Sequence, residues 1–142
     1  TAEGLALPVD ATLWATGAAS AAFLRETGLA LDAAGFIEVD ETLRSTSHPE
    51  VFAVGDVASM RGTPRPKSGV YAVRQGPPLA RNLAAALLEG PLAPYRPQRA
   101  ALALITTGER YAVASRGPFT LQGAWVWRWK DWIDRGFMAR YR

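Results

Sequence analysis

Gly55 and Asp56 close the apolar run VFAV at 51–54, and the proline-broken loop RGTPRPK at 61–67 delivers Lys67 and Ser68 a few residues later. A carboxylate accepts hydrogen bonds from sugar or polyol hydroxyls and repels phosphate. An aspartate at the end of an apolar run therefore suits the ribose or ribityl part of a nucleotide. Gly55 would let such a ligand approach the backbone closely. The plainer reading makes Asp56 the N-cap of a turn at VASM, and the Gly-Asp dipeptide alone favours it. Lys67 has two readings as well: a solvated lysine in a proline-rich loop, or a cation facing a ligand.

Other chemistries find little support. The chain has no cysteine, which removes disulfides, thiolate metal sites and thiol redox chemistry from these 142 residues. Any redox work must use a bound cofactor. The single histidine, His48, precedes a proline in a turn and reads as a turn residue. The acids, Asp40 and Glu41 included, are scattered rather than set at ligand spacing, so no metal site is expected. Ser45, Ser47 and Ser68 have no partner base in sequence, so nucleophilic catalysis has no case.

The elements that would position Asp56 follow from pattern. DATLWAT at 10–16 reads as a short buried strand running into Gly17, and ASAAFLRET at 19–27 as a helix with Gly28 at its C-terminal glycine position. FIEVD at 36–40 alternates like a half-exposed strand. VFAV has the continuous apolar character of a parallel strand buried on both faces, which would deliver Asp56 to the crevice at its carboxyl end. Ser68 sits where a helix N-cap would, before GVYAVRQ and PLARNLAAALLEG, two helical patterns with an expected kink at Gly76-Pro77-Pro78. PLAPYRPQ after Gly90 reads as a linker. AALALIT, a turn over Thr107 to Glu109, RYAVAS, Gly117-Pro118 and FTLQ then predict an antiparallel meander, followed by a helix from Ala124. The fold class is α/β, mixed α+β in this chain: 1–90 carry the nucleotide-facing part, and 91–142 a small meander with a C-terminal amphipathic helix.

Charge is sorted along the chain. Residues 1–56 carry two arginines against nine acids, residues 57–88 five bases and no acid, and residues 125–142 five bases against two acids. The tail alone accounts for the net +3. No recognition helix or aromatic RNA motif accompanies the basic balance, so no nucleic-acid partner is expected. With neither a secretory signal pattern nor a long apolar window, a cytoplasmic location is the expectation.

Thr46, Ala53, Gly55 and Asp56 fit the pattern T-x6-A-x-G-D, which resembles the second flavin contact of FAD-dependent pyridine nucleotide-disulfide oxidoreductases. LWATG at 13–17 resembles that family's return from nucleotide domain to flavin domain, GFIEVD at 35–40 its G-x-I-x-V-D strand, and SGVYAVRQGPPLARNL at 68–83 the helix after Gly-Asp. The resemblance is nearest to type II NADH dehydrogenase-like flavoproteins, including those joined to selenide, water dikinase. It implies an FAD contact set of Thr16, Gly17, Gly55, Asp56, Lys67, Ser68 and Gly69, with NAD(P)H as co-substrate. It also implies hydride transfer from nicotinamide to flavin. Type II NADH dehydrogenases carry Ala-Gln where this chain has Gly69-Val70, so the acceptor stays open. No G-x-G-x-x-G follows a strand in these residues, so the loops for the FAD and NAD(P)H pyrophosphates are expected in a longer chain. The remainder of the oxidoreductase is the implied partner, and this piece by itself is expected to be inactive.

Trp125, Trp129, Trp132, Ile133 and Phe137 share one arc of the last helix. The arc either covers the meander, the favoured reading, or lies in a headgroup region as a peripheral membrane contact through Trp125, Trp129 and Trp132. Trp127 and Met138 fall off that arc. Open sheet edges imply a homodimer of the isolated piece. The rival reading of the whole chain is a non-catalytic docking module on a degenerate flavoprotein scaffold.

Overall fold

The computed structural model describes residues 8–13 and 17–141. The chain falls into two compact units, one up to Ala93 and one from Pro94. Both helices and strands are present, in a two-stranded parallel sheet and a three-stranded antiparallel sheet, so the fold is of the expected mixed α/β class.

In the first unit, β1 (Ile37–Val39) pairs in parallel with β2 (Ala58–Met60), Val39 opposite Met60. Ile37, Val39, Ala58 and Met60 are buried while Glu38 and Ser59 are half-buried, the alternation expected of FIEVD. A tight turn precedes β1: Gly35 donates to the Asp32 carbonyl at 2.9 Å, and Asp32 donates to the Phe36 carbonyl at 2.8 Å. Gly35 has φ +86°, and a Cβ there would crowd the Ser20 side chain, so this turn favours glycine.

VFAV is not a parallel strand. Ser45 donates to the Val51 carbonyl at 2.8 Å and Ala53 to the Leu43 carbonyl at 3.1 Å, an antiparallel bridge of Arg44 with Phe52. Asp40 bends the chain back to make this pairing. Its Oδ1 accepts the Thr42 amide at 2.7 Å and the Thr42 hydroxyl at 2.6 Å, and Leu43, at φ 69°, drops fully buried into the core. Local return therefore outcompetes the long-range pairing that the apolar run suggests. Residues 10–13 form no strand either: Leu13 is 93% exposed, and no described residue offers this segment a pairing edge. The rest of that expected strand, 14–16, lies outside the described residues. The expected helix at 19–27 is reduced to a 3₁₀ helix, Ala22–Glu26, with Gly28 at φ 76° just beyond it.

Helix α1 (Gly69–Leu87) is one helix rather than two, running through Pro77 and Pro78. Tyr71, Gln75, Pro78 and Asn82 are its buried positions, a spacing of four, three and four that places them on one face. Burial of that face carries the helix past two residues that cannot donate to it.

The second unit is the meander the sequence predicts: β3 (Ala103–Gly108), β4 (Tyr111–Arg116) and β5 (Phe119–Gly123), in the order β3-β4-β5. Gly108 pairs with Tyr111, so the first turn is Glu109-Arg110, both with positive φ (42° and 59°), the signature of a type I′ hairpin. Arg116 pairs with Phe119 across Gly117-Pro118. Helix α2 (Ala124–Met138) covers β4. Its packing face differs from the expected arc: Val126, fully buried, meets Ala112 and Ala114, with Trp127, Trp129, Leu102 and Leu104 around them. Trp127 belongs to this cluster, while Trp125 and Trp132 are 53% and 73% exposed. The small alanines of β4 set the register, because they make a groove into which the β-branched Val126 fits better than an indole would.

Candidate functional site

A cleft of about 170 Å³ opens in the first unit between the β1–β2 pair, the loop at 61–67 and the start of α1. Its walls include Asp32, Phe36, Asp56, Lys67, Tyr71 and Gln75. Gly55, Asp56 and Val57 form a 3₁₀ turn that leads straight into β2. Asp56 therefore reaches the cleft from a turn before a strand, not from the carboxyl end of one.

The turn is held from α1. Gln75 is buried, and its Oε1 accepts the Gly55 amide at 2.6 Å. Gly55 has φ +71°, a left-handed conformation that disfavours any side chain, whereas the space itself is not closed: a Cβ would meet Ala72 Cβ at 3.4 Å. The cap of the turn is Val54, which offers no side-chain bond, so Asp56 is not the N-cap of the plainer reading. Its carboxylate is exposed and accepts no hydrogen bond among the described residues.

Lys67 is not a solvated lysine. Its Nζ donates to the Ala58 carbonyl at 2.6 Å and lies 3.9 Å from the centroid of the Phe36 ring. Burial pulls this ammonium below the usual lysine range, against the attraction of Asp32 and Asp56. Asp32 is the fixed counter-charge. Burial pushes its carboxyl up, but the Ser59 hydroxyl, the Phe36 and Ala34 amides and the Lys67 charge together hold it below the usual aspartate range. Its Oδ1 accepts those two amides at 3.0 and 2.9 Å.

Of the residues singled out by sequence, the structure brings Gly55, Asp56, Lys67 and Ser68 to one cleft. Ser68 is the N-cap of α1 in extended conformation, φ −160°, without a side-chain capping bond. Gly69 is exposed at the first turn of α1 and does not line the cleft, Gly17 is exposed with nothing within 4 Å of a Cβ there, and Thr16 lies outside the described residues. Sequence reasoning missed Asp32, Phe36, Ser59, Tyr71 and Gln75. Two of these had a signal: Asp32 opens a D-A-A-G turn, and Gln75 follows Tyr71 by one helical turn, on the face that Pro78 and Asn82 continue.

The arrangement can accept hydroxyl donors at Asp56 and place a cation beside them, in a cleft with one aromatic wall. It lies wholly within a segment with known relatives. The family model described as pyridine nucleotide-disulphide oxidoreductase matches residues 1–76, which takes in every residue lining the cleft. The chain is also 34% identical, over 132 residues, to the alternative NAD(P)H-ubiquinone oxidoreductase C1, chloroplastic/mitochondrial, of Arabidopsis thaliana. That alignment covers 85% of this chain and 25% of the plant protein, so the chain spans about a quarter of the length of that relative.

Proposed function

Because the chain belongs to the pyridine nucleotide-disulphide oxidoreductase family, we propose that it forms part of an FAD-dependent NAD(P)H oxidoreductase of type II NADH dehydrogenase-like character, its cleft taking part of the flavin. The carrying observation is the Gly55-Asp56 turn, fixed by Gln75 and presenting an uncommitted carboxylate to the cleft. The residues fit the group in chemical kind. A carboxylate with free acceptor sites suits the ribityl hydroxyls, Gly55 keeps that approach clear, and the Phe36 and Tyr71 rings give the cleft apolar surface. FAD, when bound, supplies two-electron chemistry with NAD(P)H. This chain's residues bind and orient it: Asp56 at the polyol, Lys67 and Ser68 across the cleft. The plant relative's name includes ubiquinone as acceptor. Gly69-Val70 leaves the acceptor of this protein open.

The test uses the complete protein that contains this chain. It should purify yellow, with flavin absorbance that NADH or NADPH bleaches, and Asp56→Ala should lower FAD affinity at least tenfold. A preparation that never takes up flavin would sink the reading.

A second reading, a docking or peripheral membrane module, is favoured by one observation: Trp125 and Trp132 stand exposed on α2 beside Arg128 and Arg135. No helix among the described residues is long and apolar enough to cross a membrane. Flotation with anionic vesicles, abolished by Trp125→Ala with Trp132→Ala, would support it; sedimentation apart from the vesicles would reject it.

A further inference from the structure

Lys67 is a half-buried cation with no carboxylate of the described residues within ion-pair distance; the ion pairs among those residues both lie on α2. Of its three N–H donors, the Ala58 carbonyl occupies one, and the Phe36 ring lies against the ammonium. Asp32 accepts the Ala34 and Phe36 amides on Oδ1, and its charge attracts Lys67 without a direct bond to it. Asp56, the other carboxylate attracting Lys67, is exposed and free to bind ligand hydroxyls. The cleft thus sets a cation against its aromatic wall, with Asp32 and Asp56 attracting it through space and no carboxylate among the described residues bonded to it directly.

We infer that Lys67 is the cation this cleft offers to the flavin ring system, so that it favours the reduced ring over the oxidised one. The inference rests on the FAD reading above. Hydride transfer from NAD(P)H adds two electrons and one proton to a neutral oxidised ring, which then carries one negative charge, while the nicotinamide gains one positive charge. A fixed ammonium in a partly water-excluded cleft lowers the energy of that charge without stabilising the neutral form equally. Phosphate is the poorer match at the same spot, because Asp56 and Asp32 share the cleft and would repel a dianion.

The chain has two lysines, Lys67 and Lys130, and Lys130 is ion-paired with Asp134 on α2, which gives an internal control. In the complete protein, trace labelling with acetic anhydride followed by peptide mass analysis should show Lys67 protected several-fold by FAD, with Lys130 unchanged. Lys67→Met should weaken the preference for reduced flavin about tenfold, a fall of about 30 mV in the midpoint potential of this two-electron couple. Affinity for oxidised FAD should fall less than affinity for reduced FAD, and Lys67→Arg should recover most of the potential. Equal labelling of Lys67 with and without FAD overturns the inference even if Lys67→Met fails to fold. So does an unchanged potential in a flavin-loaded Lys67→Met protein, and so does a loss of affinity for FAD but not riboflavin, which would place Lys67 on the phosphates. Absence of flavin from the wild-type protein overturns the oxidoreductase reading itself, whereas these outcomes leave it standing.

Discussion

The side-chain oxygen of Gln75 accepts the backbone amide of Gly55 at 2.6 Å, across twenty residues of sequence. This bond joins the middle of α1 to the turn that carries Asp56. A buried amide donor left without a partner costs about 1–3 kcal/mol. Gln75→Leu keeps the volume and removes the acceptor, so it should lower stability by about that amount, read from the urea midpoint. FAD affinity should fall further than stability accounts for, because the turn that aims Asp56 is released. Equal FAD affinity in mutant and wild type would show that the turn holds itself.

Asn82 makes a denser clasp. Its Nδ2 donates to the Thr42 carbonyl at 2.8 Å and the Ala93 carbonyl at 2.9 Å, and its Oδ1 accepts the Ala93 amide at 2.9 Å. The side chain is 1% exposed. Asn82→Ala should cost about 2–4 kcal/mol, since it strands several buried backbone groups at once. Asn82→Asp should be at least as damaging, because it sets a carboxylate against two carbonyl oxygens. A denaturation midpoint unchanged in either variant would contradict this clasp.

Asp32 should give the protein an acid-sensitive component. Its folded-state affinity for a proton is depressed, so the stability it contributes is present above the ordinary aspartate range near pH 4 and is lost as pH falls through its lower folded value. Asp32→Asn should be less stable than wild type at about pH 7, and the gap should close as pH falls below the ordinary aspartate range. Lys67 acts at the other end. Burial disfavours its charge, so the unfolded chain binds the proton more readily, and stability should rise with pH as the ordinary lysine range near 10.4 is approached. Parallel urea titrations of wild type, Asp32→Asn and Lys67→Met check both signs.

The second unit separates its tryptophans into those that pack and those that do not. Val126→Ala should cost about 2 kcal/mol, since it empties the groove between Ala112 and Ala114. Trp132→Ala should change stability by no more than about 0.5 kcal/mol, despite its larger side chain, because most of Trp132 is exposed already. Thermal denaturation of the two variants distinguishes this packing from the arc drawn on residue spacing alone.

The meander was legible because its pairings are local. Each strand is followed within two residues by its partner, and Gly117-Pro118 marks the second reversal; the first lies at Glu109-Arg110 rather than over Thr107 to Glu109, because the first strand runs on through Gly108. On α2 the helical wheel placed the helix over the meander and Trp129 in the contact, but put Trp125 and Trp132 there too: it ranks faces by hydrophobic size, and the sheet beneath presents alanines, against which Val126 packs. In the first unit, the chemistry-bearing residues Asp56, Lys67 and Ser68 were visible as types, but their supports were not. Asp32, Gln75 and Asn82 are polar residues whose value lies in partners 11 to 40 positions away or in a turn that only the backbone reveals. The VFAV run misled because a continuous apolar stretch reports burial and not partner, and Asp40 supplied a nearer partner than a parallel neighbour.

Pro77 and Pro78 lie inside α1 and bring no amide hydrogens, so the carbonyls of Val73 and Arg74 have no donor one turn ahead of them. Two adjacent rungs of the helical ladder are missing on the stretch between Gln75 and Asn82. The half bearing Gln75 is therefore tied to the half bearing Asn82 chiefly through their common buried face. Amide exchange should accordingly be faster at Gly55 than at Ala93, so that the ligand end of the unit opens without its structural end; equal protection of the two amides would contradict this.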